Sequence, residues 1–171
     1  LRMSRGLGDV YKRQVMGQGA KAIVKKLYVD GKISGIIGMG GGGGTSIATT
    51  AMSALPIGVP KICISTLASG DTRPYIGSKD ILLFPSIVDI SGINSFSKKI
   101  ISNAAAALAG MVKNEMPDCH ATQSKKAILL SMFGNTTAAG TACSKLLSQA
   151  GYDTLVFHAV GTAVSYTHLR A

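Results

Sequence analysis

Residues 40–44 of this chain are all glycine, set between the apolar run ISGIIGM and the segment TSIATTAMSAL. Glycine loses more backbone freedom on folding than any other residue, so five in succession need a compensating reason. A flexible linker does not fit, because linkers do not normally sit between a buried strand and a capped helix. Two reasons remain: a loop whose bare backbone must approach a ligand, or glycines that let elements pack tightly. The order of strand, glycines and helix predicts a strand-to-helix junction of an α/β domain, with Thr45 or Ser46 capping a helix that runs towards Pro56.

The surrounding chain repeats that alternation. GAKAIVKKLYVDGK carries Ile23, Val24 and Leu27 at helical spacing and reads as an amphipathic helix ending near Gly31. VPKICIST and KDILLFPS read as further strands, of the kind buried on both faces of a parallel sheet. Asn94 to about Glu115 is an alanine-rich helix suited to lying close to a sheet, and Pro117 stops it. PDCHATQS is the best linker in the chain. Beyond it KKAILLSM, the turn FGNTT, AAGTACSKLLSQAG and DTLVFHAVGT open a second β-α-β unit. The expected fold is α/β: a Rossmann-like parallel sheet with flanking helices, comprising most of one half-domain plus the start of a second.

Charge needs its distribution before it means anything. The formal net charge is +10, which suggests nucleic acid or an anionic surface. Yet the opening LRMSRGLGDVYKRQ and the closing residues of VSYTHLRA resemble translated sequencing-adapter sequence, and we expect residues 1–14 and 165–171 to be non-native. Removing three net positive charges at the front and one at the back leaves +6. No aromatic-rich basic motif accompanies that charge, so nucleic-acid binding is not expected. Cys63, Cys119 and Cys143 are odd in number and widely spaced, which suggests neither a disulfide framework nor a zinc site and fits a cytoplasmic location. No apolar run reaches the roughly eighteen residues that span a bilayer, so no membrane association is expected.

A helix N-terminus offers unpaired N–H groups and partial positive charge, and glycines let a phosphate come close to them. Gly40, Gly41, Gly42, Gly43, Gly44, Thr45 and Ser46 are therefore candidate phosphate contacts. Gly38-x-Gly40-x-x-Gly43 matches the dinucleotide fingerprint in letters, but KICIST lacks the acidic residue expected for the ribose, and no Gly-Lys-Ser/Thr completes a P-loop. Two other strand ends are polar. Thr66, Ser69, Gly70 and Asp71 follow the second strand, and Gly134, Asn135, Thr136 and Thr137 open the last helix. In open α/β sheets ligands bind outside the carboxyl ends of the strands, so these turns join the candidate site. Asp71 is either a magnesium ligand through water or an Asx-turn; Arg73 either pairs with phosphate or is solvated; His158 is either a core-edge residue or part of a site. Spacing assigns no nucleophile and base, so no catalytic residue is named, and no protein metal site is expected.

The run GGGGGTSIATTAMSALPIGVPKICISTLASGDTRPYIGSKDILLFPSIVDISGINSFSKKI, with MFGNTT and GYDTLVFHAVGT, resembles the ATP-binding domain family of the plant tomato mosaic virus resistance protein and its bacterial relatives, from about Met16 to Thr162. The resemblance implies two Rossmann-like halves with ATP between them, and we expect Mg2+ to accompany the nucleotide. This chain would supply most of the first half (15–117), a linker (118–125) and the start of the second (126–164). Gly41 to Ser46 would contact phosphates and Gly134 to Thr137 would approach from the other half. The expectation is an ATP-binding homo-oligomer. The alternatives are an interaction module whose protein-partner surface is stabilised by nucleotide, and a dinucleotide-dependent oxidoreductase.

Overall fold

The computed structural model of the chain describes residues 2–90, 92–114 and 125–158. The chain divides into two compact units, Leu1–Glu115 and Met116–Ala171. The expected linker 118–125 lies outside the described residues apart from Lys125, as do Pro117, Cys119 and the tail 165–171.

In the first unit α1 (Arg2–Val29) precedes β1 (Ile36–Gly40), α2 (Gly42–Met52), β2 (Lys61–Ser65), the short α3 (Arg73–Ile76), β3 (Leu82–Pro85) and α4 (Ser95–Lys113). The strands are parallel in the order β1-β2-β3, in the register Gly38↔Cys63↔Leu83. Every residue of the central β2 is buried. Its side chains alternate between faces, as a strand's must. Cys63 meets Met52 and Ile81, joined by Ala48 of α2 and Ile76 of α3. Ile62 and Ile64 meet Ala104 of α4, joined by Ile100, Ile101, Ala107 and Leu108. The sheet is thus covered on both faces, and small side chains at 104 and 107 let α4 lie against it as the alanine-rich sequence predicts. Asn94 starts that helix with a reciprocal cap: its Oδ1 accepts from Ser97 N–H at 2.8 Å, and Ser97 Oγ accepts from Asn94 N–H at 2.8 Å.

Two expectations change. The first helix does not begin near residue 19 but runs back through segment 1–14 as far as Arg2. Its apolar stripe is also only partly used: α1 lies on α2 where Gly17 faces Thr50, Val24 and Leu27 are half-buried, and Ile23 stays 62% exposed. Periodicity marks a face as apolar; which part of it is covered depends on the neighbour.

The second unit holds β4 (Ala127–Met132), a 3-10 turn (Gly134–Thr136), α5 (Thr137–Gln149) and β5 (Asp153–His158), with β4 and β5 parallel from Ala127↔Asp153 to Met132↔His158. Met132 packs where Gly140 leaves room in α5, and Ser144 of α5 hydrogen-bonds Thr154 at 2.6 Å, so α5 covers one face. Leu129 and Leu155, adjacent on the opposite face, are 67% and 45% exposed.

One fully buried charge anchors the first unit. Lys61 has no exposed surface, and its Nζ donates to Pro56 O and Val59 O at 2.8 Å each and to Asp80 Oδ1 at 2.7 Å. All three ammonium protons are therefore used. Asp80 Oδ2 accepts from Gly58 N–H at 2.7 Å, so one ion pair ties the turn before β2 to the turn before β3. Partial burial pushes the Asp80 carboxyl up, but the bonds from Lys61 and Gly58 and the Lys61 charge together outweigh it and hold the carboxyl below its ordinary value. A depressed folded value stabilises fully above the unfolded value of about 4 and loses that contribution as pH falls through the folded value. Asp80→Asn should cost on the order of 3 kcal/mol by stranding the buried ammonium. It should also flatten the fall of the thermal midpoint between about pH 5 and pH 3; a variant with the wild-type slope would show that other carboxylates govern acid stability.

Candidate functional site

The five glycines do not form a loop. Gly40 is the last residue of β1, Gly41 is the N-cap of α2 in extended geometry (φ −77°, ψ −161°), and Gly42–Gly44 are its first turn. Thr45 N–H already donates to Gly41 O at 2.8 Å, so Thr45 and Ser46 lie inside the helix and neither caps it. The physical reason is the absence of side chains across the whole segment: the strand passes into a helix without the spacer that larger residues would need.

Within that segment the glycines divide by what surrounds them. A Cβ on Gly38 would stand 2.8 Å from Ala48 Cβ, and one on Gly40 would stand 2.7 Å from Gly44 Cα and 3.1 Å from Thr45 N. These two are required by contact between strand and helix. Close packing does not account for the next three. A Cβ on Gly41 or Gly42 would meet only Thr66 Oγ1 or Leu67 Cδ1, each at 3.6 Å, and one on Gly43 would meet the Arg13 side chain at 3.3 Å. Gly41 provides no side-chain cap, so among the described residues the N–H groups of the first turn have no capping side chain from the N-cap position.

Thr45 is turned inward. It is fully buried; its hydroxyl donates to Gly40 O at 3.1 Å and lies 2.7 Å from Ser65 Oγ, which in turn accepts from Leu67 N–H at 3.0 Å. Each hydroxyl has one proton, so the chain runs from Leu67 N–H to Ser65, from Ser65 to Thr45, and from Thr45 to Gly40 O. The network pins the end of β2 to the start of α2 and leaves Thr45 no donor for a ligand. The neighbouring Cys63 thiol is pushed up to about 11 by burial, partly offset by its bond with Thr45, and is a core group rather than a nucleophile.

A cavity of about 360 Å³ opens at the carboxyl ends of β2 and β3, lined in part by Ser65, Thr66, Ser69, Ser86, Ile87 and Asp89. Thr66 joins it to the glycines: its N–H donates to Gly40 O at 3.3 Å and its hydroxyl lies beside Gly41. Thr66 and Ser69 therefore line a cavity at the carboxyl end of β2. Gly70 and Asp71 do not line this cavity. Asp71 instead accepts from Arg73 N–H at 3.2 Å, Nε at 2.9 Å and a terminal nitrogen at 3.0 Å. That is the Asx-turn alternative, with Arg73 paired in solvent; the Arg73 side-chain bond, above all, holds the Asp71 carboxyl low. Ser46 faces a separate groove between α2 and α3.

The turn from Gly134 to Thr137 belongs to the second unit. Its hydroxyls close the turn itself: Thr136 Oγ1 accepts from Phe133 N–H and donates to Phe133 O, both at 3.0 Å, and Thr137 Oγ1 donates to Gly134 O at 3.0 Å. Asn135 is exposed. His158 ends β5 in register with Met132, and its side chain lies outside the described residues. Among the described residues no cluster of three metal-ligating side chains occurs, and no helix is long and apolar enough to cross a membrane.

Sequence reasoning passed over Ser86, Ile87 and Asp89. The signal was present, since the polar break PSIVDIS ends the third strand just as TLASGDT ends the second, and adjacent parallel strands bring their carboxyl ends to one edge.

Residues 8–117 match the N-terminal domain of the uncharacterised protein family UPF0261, and residues 125–165 match its C-terminal domain. The first match overlaps the segment expected to be non-native. A UPF0261 protein of Clostridium tetani is 54% identical over 88% of this chain and 37% of its own length. The ToMV susceptible protein tm-1(GCR26) of Solanum lycopersicum is 46% identical over 86% of this chain and 20% of its own length. The UPF0261 protein mlr3387 of Mesorhizobium japonicum is 49% identical over 76% of this chain and 32% of its own length. The chain thus spans less than half the length of these relatives.

The division among the glycines has a measurable consequence. Gly40→Ala should destabilise by roughly 1–3 kcal/mol, because the added methyl meets helix backbone that cannot move aside. Gly43→Ala meets only a flexible side chain and gains helix propensity, so it should stabilise by about 0.5–1 kcal/mol. Equal effects of the two substitutions in denaturant unfolding would contradict the division.

Proposed function

The chain belongs to the UPF0261 family, and from that premise we propose that it binds ATP with Mg2+ at the carboxyl edge of its first parallel sheet. One observation carries the reading: three first-turn N–H groups, at Gly42, Gly43 and Gly44, follow an N-cap glycine that gives no side-chain cap, and that glycine, Gly41, lies beside Thr66, which lines a cavity of about 360 Å³. Backbone donors at the positive end of a helix suit phosphate oxygens. Gly42 and Gly43 cost helix propensity without a packing return, which a polyanion at the helix end would offset. The Thr66 and Ser69 hydroxyls add donors beside them. Mg2+ keeps several waters and is held largely by the phosphates, so the lack of a carboxylate cluster among the described residues is no obstacle. The reading assigns nucleotide binding and no catalytic group, and it places the protein in the cytoplasm as a homo-oligomer.

A second reading, an interaction module whose partner surface nucleotide stabilises, is favoured by the open face at Leu129 and Leu155. The tomato relatives bear the words susceptible and resistance at 46% and 45% identity to this chain.

A calorimetric titration with ATP and Mg2+, with NAD as comparison, should give saturable binding of ATP alone. Gly41→Val should weaken ATP binding at least about tenfold while the chain stays folded, since a branched side chain there would stand against Thr66 beside the first-turn donors. Preferential NAD binding would turn the assignment to a dinucleotide enzyme, and unchanged ATP affinity in a folded Gly41→Val chain would remove the phosphate cradle.

A further inference from the structure

The cavity beside the glycines is chemically uneven. On its β2 side stand donors: the Thr66 and Ser69 hydroxyls, neither of which has a hydrogen-bond partner among the described residues. On its β3 side stands one carboxylate, Asp89. Its Oδ1 accepts from Ile90 N–H at 2.8 Å, and among the described residues its Oδ2 has no partner and no cation pairs with it.

The backbone before it fixes where Asp89, itself exposed, leaves the sheet. Ser86 N–H donates to Ser65 O at 3.1 Å, which continues the pairing of β3 with β2 past the last strand residue. Ser86 Oγ then donates to Val88 O at 2.8 Å, and Val88 N–H donates to Ser86 O at 2.7 Å. That three-residue turn has Ile87 at its centre with φ 65°, a region a β-branched residue rarely enters. Ile87 is 77% exposed, so no core packing of its side chain explains the conformation. The turn's effect is to bring Asp89, just past the end of β3, to the wall of the cavity that Thr66 and Ser69 line from just past the end of β2.

A carboxylate with an open oxygen cannot accept from a phosphate, which has no proton to give at neutral pH; it needs a donor. On a nucleotide the donors lie at the other end, in the sugar and base, and the vicinal hydroxyls of ribose present two within reach of one carboxylate. We infer that Asp89 is the acceptor for the ribose hydroxyls of the nucleotide whose phosphates sit on the α2 N-terminus; this inference rests on the nucleotide reading above. In doubly wound folds an acidic group about twenty residues past the glycines holds the ribose. Here that stretch, the end of β2, is Ser65-Thr66, and the acidic group comes from the turn after β3 instead. Asp89 is thus a specificity residue, separating nucleotides from bare polyphosphates.

The test compares ATP, 2′,3′-dideoxy-ATP and inorganic tripolyphosphate, each with Mg2+, on the full 171-residue chain. Wild type should bind ATP about tenfold more tightly than the dideoxy analogue. Asp89→Ala should lower ATP affinity to the level of that analogue and leave tripolyphosphate unchanged. Asp89→Asn, which keeps an acceptor for Ile90 N–H, serves as the folded control and should lose most of the same preference. Three outcomes overturn the inference while leaving phosphate binding intact: no preference for ATP over the dideoxy form, unchanged ATP affinity in both variants, or equal losses for ATP and tripolyphosphate. The last would make Asp89 a holder of Mg2+. Failure of wild type to bind either ATP or tripolyphosphate would instead overturn the nucleotide reading and this inference with it.

Discussion

Contact between α2 and β1 organises the first unit. A helix normally stands off a sheet by the length of the side chains between them; here Gly38 and Gly40 remove those side chains, and Ala48 and Gly44 of the helix come against the bare strand. Thr45 is thereby carried to Ser65, where two hydroxyls link the helix start to the end of β2. Because the helix begins immediately after the strand, its first-turn N–H groups emerge at the carboxyl edge of the sheet rather than at the end of a wandering loop. Packing and the candidate site therefore depend on the same segment, although on different glycines within it.

The opposite end of β2 is secured by charge. Lys61 is taken out of water completely, a placement tolerated only because two carbonyls and Asp80 use all its protons. Hydroxyls fix one end of the central strand and an ion pair the other, while Ile62 and Ile64 on one face and Cys63 on the other provide the apolar core between them. The carboxyl edge, where Thr66, Ser69 and the turn at Ile87 line one cavity, is built on that anchored strand.

Local signals were the most legible part of the sequence. The parallel strands, the alanine-rich α4 with its Asn94 start, and the second β-α-β unit all follow from β-branched runs, helical spacing and turn residues. Helix start points were less so: Thr45 has the chemistry of a cap, but a cap is defined by backbone geometry, and an all-glycine stretch let the helix start earlier. For Asp71 the sequence left two roles open, and proximity to Arg73 decided between them.

By itself, then, the sequence determined the alternation of strands and helices, because side-chain periodicity and turn chemistry are local properties. It also determined that residues 40–44 could come closer to another group than any segment bearing side chains. Only the tertiary structure decided which glycines meet the protein and which leave their N–H groups open, because that depends on how near α2 lies to β1. The same holds for Lys61 and Asp89. A lysine opening a strand and an aspartate in a turn look like ordinary surface residues until the sheet buries one against Asp80 and brings the other to the edge shared with Thr66.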